Sequence, residues 1–334
     1  MNKWDLIYYS RIYRLFKPFY SGIGHVLNFH RVGNGDDRVF TQDLQVSPGS
    51  LENTLNYFIS RKIDVISPDE CYDRITSGKR SRRFVVFTFD DGYADNLTEA
   101  LPVFEKFNAP FTVFLSTGFP DHTIVLWWYL LEDLVMKQDE VSYEDGGQTC
   151  TYRTSTMEEK KEAFWKIRSH ILQSKREDLW PRLKRIFRTD EEGLLHPTRQ
   201  MALSWQQVLE LDRHPLVTLG AHTMNHYALS KLPEEEVRSE ILGSMERIRS
   251  KTGTPVEHLA YPYGILSTAG PREFRIAEQC GLKTAYTTES SNILKRHTRN
   301  LHALPRIEMT DGWRDRFYDL YVYGFTPFFH KLIR

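Results

Sequence analysis

The chain is 334 residues long, with 44 Lys+Arg against 44 Asp+Glu, 12 His, 3 Cys, 40% hydrophobic and 26% charged residues. At about 100–200 residues per domain, this length allows two ordinary domains or one large α/β barrel with an insertion, and the apolar share argues against a disordered chain. Zero net charge removes the broad attraction that nucleic-acid binding relies on, and three scattered cysteines (Cys71, Cys150, Cys280) suggest neither a disulfide framework nor a thiolate zinc knuckle.

In chain order, Trp4, Ile7, Tyr8, Ile12, Leu15 and Phe19 fall on one face of an expected helix, flanked by Lys3, Arg14 and Lys17. Such a basic, aromatic helix fits a membrane interface, but Arg11 intrudes on the apolar face. Packing on the barrel or on a second subunit is the competing expectation. Residues 1–25 show no uninterrupted apolar stretch with a cleavage site, and no run approaches the ~18 apolar residues that span a bilayer. The expected location is the cytosol, with peripheral contact at the inner face of the membrane as its extension.

Val26, Leu27 and Phe29 form a first strand that ends at His30, and Leu51, Leu55, Phe58 and Ile59 follow at helical spacing after Ser47-Pro48. Ile63 to Ile66 reads as a short strand, and Ser67-Pro68-Asp69-Glu70 as a helix start with Ser67 as N-cap and Glu70 closing a capping box. Phe84 to Phe89 is apolar apart from Thr88, as expected of a parallel strand covered on both faces, and it ends at Asp90-Asp91-Gly92. Leu97, Leu101 and Phe104 mark a helix that Pro102 bends or restarts, and Phe111 to Leu115 supplies another strand. From about residue 120 to 201 a helical, charge-rich stretch replaces the alternation and reads as an insertion capping the barrel. The rhythm resumes at Ser204, with Gln207 as capping partner, and Leu216 to Leu219 leads into Gly220-Ala221-His222. Val237, Ile241, Met245 and Ile248 mark a helix that Gly253 should end. Leu259 to Tyr261, Lys283 to Thr287 and Leu304 to Ile307 are further strands, and residues 313–334 repeat the aromatic, basic character of the N-terminus. Strands alternating with helices imply an α/β fold around a parallel sheet or barrel, with a barrel over residues 26–312 between two terminal segments.

Adjacent carboxylates at the end of a buried strand are costly without a cation or metal nearby, although a solvated Asp-Gly turn would also explain Asp90-Asp91. In His222-Thr-Met-Asn-His226, a helical turn would place both imidazoles on one face, as two metal ligands require. Two surface histidines are the plainer alternative. Position favours the metal, because both motifs follow the C-terminal ends of expected parallel strands, where barrel active sites are built. One carboxylate and two imidazoles suit zinc or another divalent ion, and leave the second carboxylate as a base.

Thr88-Phe89-Asp90-Asp91-Gly92-Tyr93, His222-Thr-Met-Asn-His226 and Tyr261-Pro262-Tyr263-Gly264 occur in this order. The chain thereby resembles the polysaccharide deacetylases with the nodulation-protein-B homology domain, carbohydrate esterase family 4. The resemblance covers about Val26 to Met309 apart from the insertion, and implies a distorted (β/α) barrel with one divalent metal, zinc first and cobalt or nickel as alternatives. It implies Asp90 as general base, Asp91, His222 and His226 as metal ligands, and the backbone N–H around Tyr263 as part of an oxyanion site. Two positions depart from the family. An Arg that orients the base usually opens the third motif, where this chain has Ala260; Arg306, in Leu304-Pro305-Arg306-Ile307, is the candidate replacement, with a rim salt bridge as its alternative. The usual late His that acts as acid is not evident. His30, in Asn28-Phe29-His30-Arg31-Val32, resembles the N-terminal element of the poly-N-acetylglucosamine deacetylase subgroup, where this His takes the acid role. A structural hydrogen bond is its alternative role, and His302 is the reserve acid.

The expected function is metal-dependent removal of an N-acetyl group from an amino sugar, in a polysaccharide or its lipid- or nucleotide-linked precursor, during surface polysaccharide assembly. Deformylation of a lipid-linked amino sugar uses the same chemistry. A non-catalytic carbohydrate-binding or assembly subunit with a relict metal site is the alternative of another class, against which the intact Asp90 argues. A phosphoesterase would ask for more carboxylates or a second metal.

Overall fold

The computed structural model describes residues 3–35, 38–79, 82–326 and 328–329; the side chains of residues 3–5 are outside the described set, and with them Lys3 and Trp4 of the expected N-terminal face. Seven parallel strands run across one sheet in the order Thr284–Tyr286, His258–Ala260, Val217–Ala221, Phe111–Leu115, Phe84–Asp91, Gly24–Phe29 and Ile307–Glu308. Asp64–Val65 pairs alongside the start of the Phe84–Asp91 strand. Leu304 bridges to Tyr286 at one edge of the sheet and Ile307 pairs with Leu27 at the other, so one short segment touches both edges and curls the sheet into a distorted barrel. All eight residues of the Phe84–Asp91 strand are buried, which a continuous apolar run requires when helices cover one face and barrel interior the other.

Local signals place the helices. Ser67 Oγ accepts from Glu70 N at 3.2 Å, but the Glu70 carboxylate turns to Arg74 at 2.9 Å, so only half of the expected capping box forms. At Ser204 both halves form, Ser204 N to Gln207 Oε1 at 2.9 Å and Gln207 N to Ser204 Oγ at 3.3 Å. Pro102 sits in the first turn of the Leu101–Phe107 helix, after a π-helical turn over Asn96–Ala100, so it restarts a helix. Gly253 closes the Glu234–Thr252 helix at φ 83°, which a side chain would resist.

Residues between 120 and 201 carry four helices, Trp127–Lys137, Met157–Leu172, Arg176–Phe187 and Glu191–Met201, around an apolar cluster that includes Leu131, Phe164, Ile167 and Leu194. They also carry an antiparallel hairpin, Glu140–Asp145 with Gln148–Arg153, which the helical reading of this stretch overlooked. Its signal is Gly146-Gly147, at φ 60° and 80°, the pair of left-handed residues that a two-residue hairpin turn needs.

The terminal segments correct another expectation. The N-terminal helix stops at Ser10, Arg11 adopts φ 58°, and the chain continues as a 3₁₀ turn over Ile12–Phe16 and a helical turn over Lys17–Tyr20. The expected single face is therefore broken: Ile7 and Tyr8 pack with Tyr13, Leu320 and Phe325, while Ile12, Leu15 and Phe19 point outward. Among the described residues no helix is long and apolar enough to cross a membrane.

Candidate metal and catalytic site

Asp90 and Asp91 are the last two residues of the Phe84–Asp91 strand, and Asp91 is bent to φ 76°. Gly92 follows at φ 97°, where a Cβ would lie 2.4 Å from Leu115 Cδ1, so only glycine lets the chain turn here. The bend aims the two neighbouring carboxylates at different partners. Both are nearly fully buried, which excludes the solvated turn.

His222 and His226 follow the Val217–Ala221 strand, but the segment between them is not helical. Thr223 and His226 adopt left-handed φ of 65° and 55°. The buried carboxylate of Glu240 accepts from Met224 N at 3.0 Å, Asn225 N at 2.8 Å and Asn225 Nδ2 at 2.6 Å, and Ser116 Oγ donates to His222 O at 2.7 Å. This network holds the loop in place of a helix. The imidazoles converge all the same, with Nε2 of His222 and His226 at 3.5 and 3.2 Å from Asp91 Oδ1.

Three observations fit this trio to a metal ion. Its ligand atoms lie within 4.8 Å of one another and all three residues are buried. The pairing of His222 Nδ1 with Ala260 O at 2.8 Å fixes the proton on Nδ1 and leaves the Nε2 lone pair facing inward, the arrangement common to metal-ligating histidines. Asp91 Oδ1 has no hydrogen bond although it is buried, so lone pairs face one another until a cation fills the gap. Burial opposes both charged forms, yet Asp90 and Asp91 raise the pKa of His222 and the imidazoles hold Asp91 well below the usual carboxylate range, so without a metal the gap draws a proton, the positive charge that a bound cation would replace.

Asp90 is held differently. Arg306 Nη1 and Nη2 grip Asp90 Oδ1 and Oδ2 at 2.7 and 2.6 Å, while Arg306 Nη1 also reaches Thr88 Oγ1 at 3.1 Å and Nε reaches Thr287 O at 3.1 Å. Arg306 is fully buried, which excludes a rim salt bridge. Burial pushes the Asp90 pKa up, but Arg306 and then His222 outweigh it and keep the group ionised. The guanidinium lies 5.7 Å over the Phe114 ring, and Ala260 belongs to the same interior cluster as Phe114. A small residue at 260 thus leaves the barrel interior open to an arginine delivered from residue 306.

Asp90, Asp91, His222, His226, His30 and Tyr263 all line one cavity of about 360 Å³. Tyr263 is at φ 61° and its ring meets His226 edge-on at 4.8 Å. The segment around His30 is pinned from the Asp-Asp motif's own extension: Asn96 Nδ2 donates to His30 O at 2.8 Å, and Asp95 accepts from Arg31 Nε at 2.9 Å and Val32 N at 3.1 Å. His302 is not in the cavity; its Nε2 pairs with Leu282 O at 2.8 Å, just ahead of the Thr284–Tyr286 strand, and it is removed as a candidate acid. The sequence reading missed the rest of the lining. Trp127, Trp128, Phe164, Trp165 and Arg168 come from the insertion, and Phe40 and Thr41 from the loop after the first strand. The only signal was the Trp127-Trp128 pair. Glu132 ties this loop to the insertion, accepting from Phe40 N and Thr41 N at 3.0 Å each and from Val39 N.

A family model described as polysaccharide deacetylase matches residues 77–285. The chain is 29% identical over 101 residues to YxkH of Bacillus subtilis (strain 168), a match over 29% of this chain and 34% of that relative, so it spans about a third of the relative's length. Solved structures share the fold. The Streptococcus pyogenes deacetylase PplD in complex with acetate superposes with TM-score 0.58 at 16% identity, over 89% of this chain and 97% of its own. IcaB from Ammonifex degensii gives 0.56 at 17%, over 91% and 97%. A de-N-acetylase from Aggregatibacter actinomycetemcomitans gives 0.56 at 15%, over 89% and 99%.

Proposed function

Because the chain belongs to the polysaccharide deacetylase family, hydrolases of the amide C–N bond of N-acetyl sugars, we propose that it removes N-acetyl groups from an amino sugar of a glycan with the help of one divalent metal ion. The observation that carries this reading is the division of labour between neighbours: Asp91 with His222 and His226 as a buried ligand trio, and Asp90 withheld from it by a bidentate arginine. Zinc is the first candidate, since two imidazoles and one carboxylate leave coordination positions open to water and substrate. A divalent ion held there supplies Lewis acidity, polarising the amide carbonyl and making water more acidic.

The residues of the chain supply the rest. Asp90, kept ionised and oriented by Arg306, takes the proton from the attacking water. The Tyr263 N–H donates toward the carbonyl oxygen as negative charge builds on it. His30, on the same cavity wall, gives a proton to the departing amine, which must not leave as an anion. Trp165, half exposed, offers a flat apolar face for a sugar ring, and the nearly buried Trp127, Trp128 and Phe164 keep bulk water from the reacting carbonyl.

The test is a screen for acetate and formate release from N-acylated glycans and N-acylated sugar donors, with zinc, cobalt or nickel added. Acetate release from a glycan is expected. Formate release alone would replace the reading with a deformylase, and release of neither under any metal would contradict it.

A further inference from the structure

Five large apolar side chains stand exposed within residues 6–19: Leu6, Tyr9, Ile12, Leu15 and Phe19, the last two 70% and 74% exposed. They are five of the twelve such side chains among the described residues, a concentration that scattered surface apolarity does not produce. The opposite side of the same segment is fastened down. Tyr13 is buried, stacks on Tyr8 at 5.6 Å and meets Tyr323 edge-on at 5.2 Å, while Phe16 meets Phe325 and Phe328 at 5.1 Å each. With three residues per turn in the 3₁₀ segment, Tyr13 and Phe16 share the inner edge, Ile12 and Leu15 an outer one, and Arg14 the third. Arg11, Arg14 and Lys17 are exposed, and residues 6–20 contain no acid.

We propose that this ridge seats the protein on an anionic lipid surface, with the five apolar side chains at the acyl boundary and Arg11, Arg14 and Lys17 at the headgroup phosphates. An ordered apolar edge beside a purely cationic one is what interfacial binding uses. A second copy of the chain fits worse. A two-fold contact sets the patch against itself, bringing the three cations together with no acid of residues 6–20 to pair them.

The ridge also has a fixed place relative to the cavity. Arg83, immediately ahead of the Phe84–Asp91 strand, donates to Ser21 O at 2.7 Å and Val322 O at 3.2 Å, and Asn292 Nδ2 donates to Tyr20 O at 2.8 Å. The N-terminal segment and the end of the C-terminal helix therefore sit where the strands begin, whereas Asp90 and Asp91 stand where the Phe84–Asp91 strand ends, about 23 Å along it at ~3.3 Å per residue. With the ridge on the membrane the cavity opens away from it, toward a glycan in the surrounding water and not toward a sugar headgroup in the same bilayer. This orientation rests on the deacetylase reading for its meaning; the binding itself does not.

The test is co-sedimentation of the full chain with vesicles of phosphatidylcholine, with and without phosphatidylglycerol. Binding is expected with phosphatidylglycerol and should fall with salt. The double variant Leu15→Asp, Phe19→Asp should lose about tenfold or more in partitioning while keeping its unfolding midpoint and metal content. Saturating vesicles should leave turnover of a water-soluble acetylated glycan unchanged. No binding to either vesicle, or equal binding by the variant, would overturn the proposal, as would a dimer in solution that the variant disperses without any vesicle binding. Inhibition by vesicles would overturn the orientation.

Discussion

Asp90→Asn should lower turnover by about 10²–10⁴-fold, the usual contribution of a positioned base, while metal content stays at the wild-type level. The two halves of this result separate the roles of adjacent residues. The amide keeps the shape of the carboxylate and its oxygen can still accept from one Arg306 N–H, but its NH2 faces the other and the buried guanidinium loses its counter-charge, so some stability is lost while the trio of Asp91, His222 and His226 is untouched. What is lost is the acceptor for the water's proton. Steady-state kinetics with elemental analysis on the same preparation checks both halves; near-native turnover would remove Asp90 as the base, and lost metal would place it among the ligands.

Arg306→Met should be nearly as severe by a different route. Asp90 is buried and Arg306 is its bidentate partner, so the variant strands a carboxylate in a poorly hydrated interior. Removing one member of such a pair costs about 3–5 kcal/mol of folding stability. The chain can reduce that cost by protonating Asp90, and the sign of the effect follows: Arg306 holds the carboxyl pKa down against burial, so its loss raises that pKa. A base must be ionised to work, hence activity should fail from the acidic side first, with the acid limb of the kcat/KM profile moved to higher pH. Arg306→Lys keeps the charge without the fork and should fall between the two. An unmoved acid limb in Arg306→Met would show that the arginine does not tune the base. Because Ala260 borders the same interior cluster, Ala260→Arg is the natural second-site change with which to seek rescue.

The site was legible in the sequence wherever it depends on short spacings at strand ends. Asp90-Asp91-Gly92 and His222 with His226 could be read as strand-terminal chemistry because the preceding apolar runs located the strands. Arg306 was legible only as one of two roles, since its meeting with Asp90 spans 216 residues and depends on a segment that touches both edges of the sheet. What could not be read is backbone conformation outside repetitive structure. Asp91, Thr223, His226 and Tyr263 all take positive φ, against the preference of their side chains, and Glu240 supplies the hydrogen bonds that hold the histidine loop out of a helix. The periodicity of the N-terminal segment likewise concealed a left-handed residue at Arg11, which divides one expected face into an inner and an outer one. The aromatic wall of the cavity was hidden because Trp127 and Trp165 belong to an insertion whose place over the barrel is a tertiary fact.

Metal content and acetate release, measured together for the chain and for His226→Ala before and after exhaustive chelation, test the metal-dependent chemistry most directly. One divalent ion per chain is expected, with loss of acetate release on chelation, recovery on adding zinc, cobalt or nickel, and little metal or activity in His226→Ala. Acetate release that survives complete removal of metal, or full metal content in His226→Ala, would contradict that expectation.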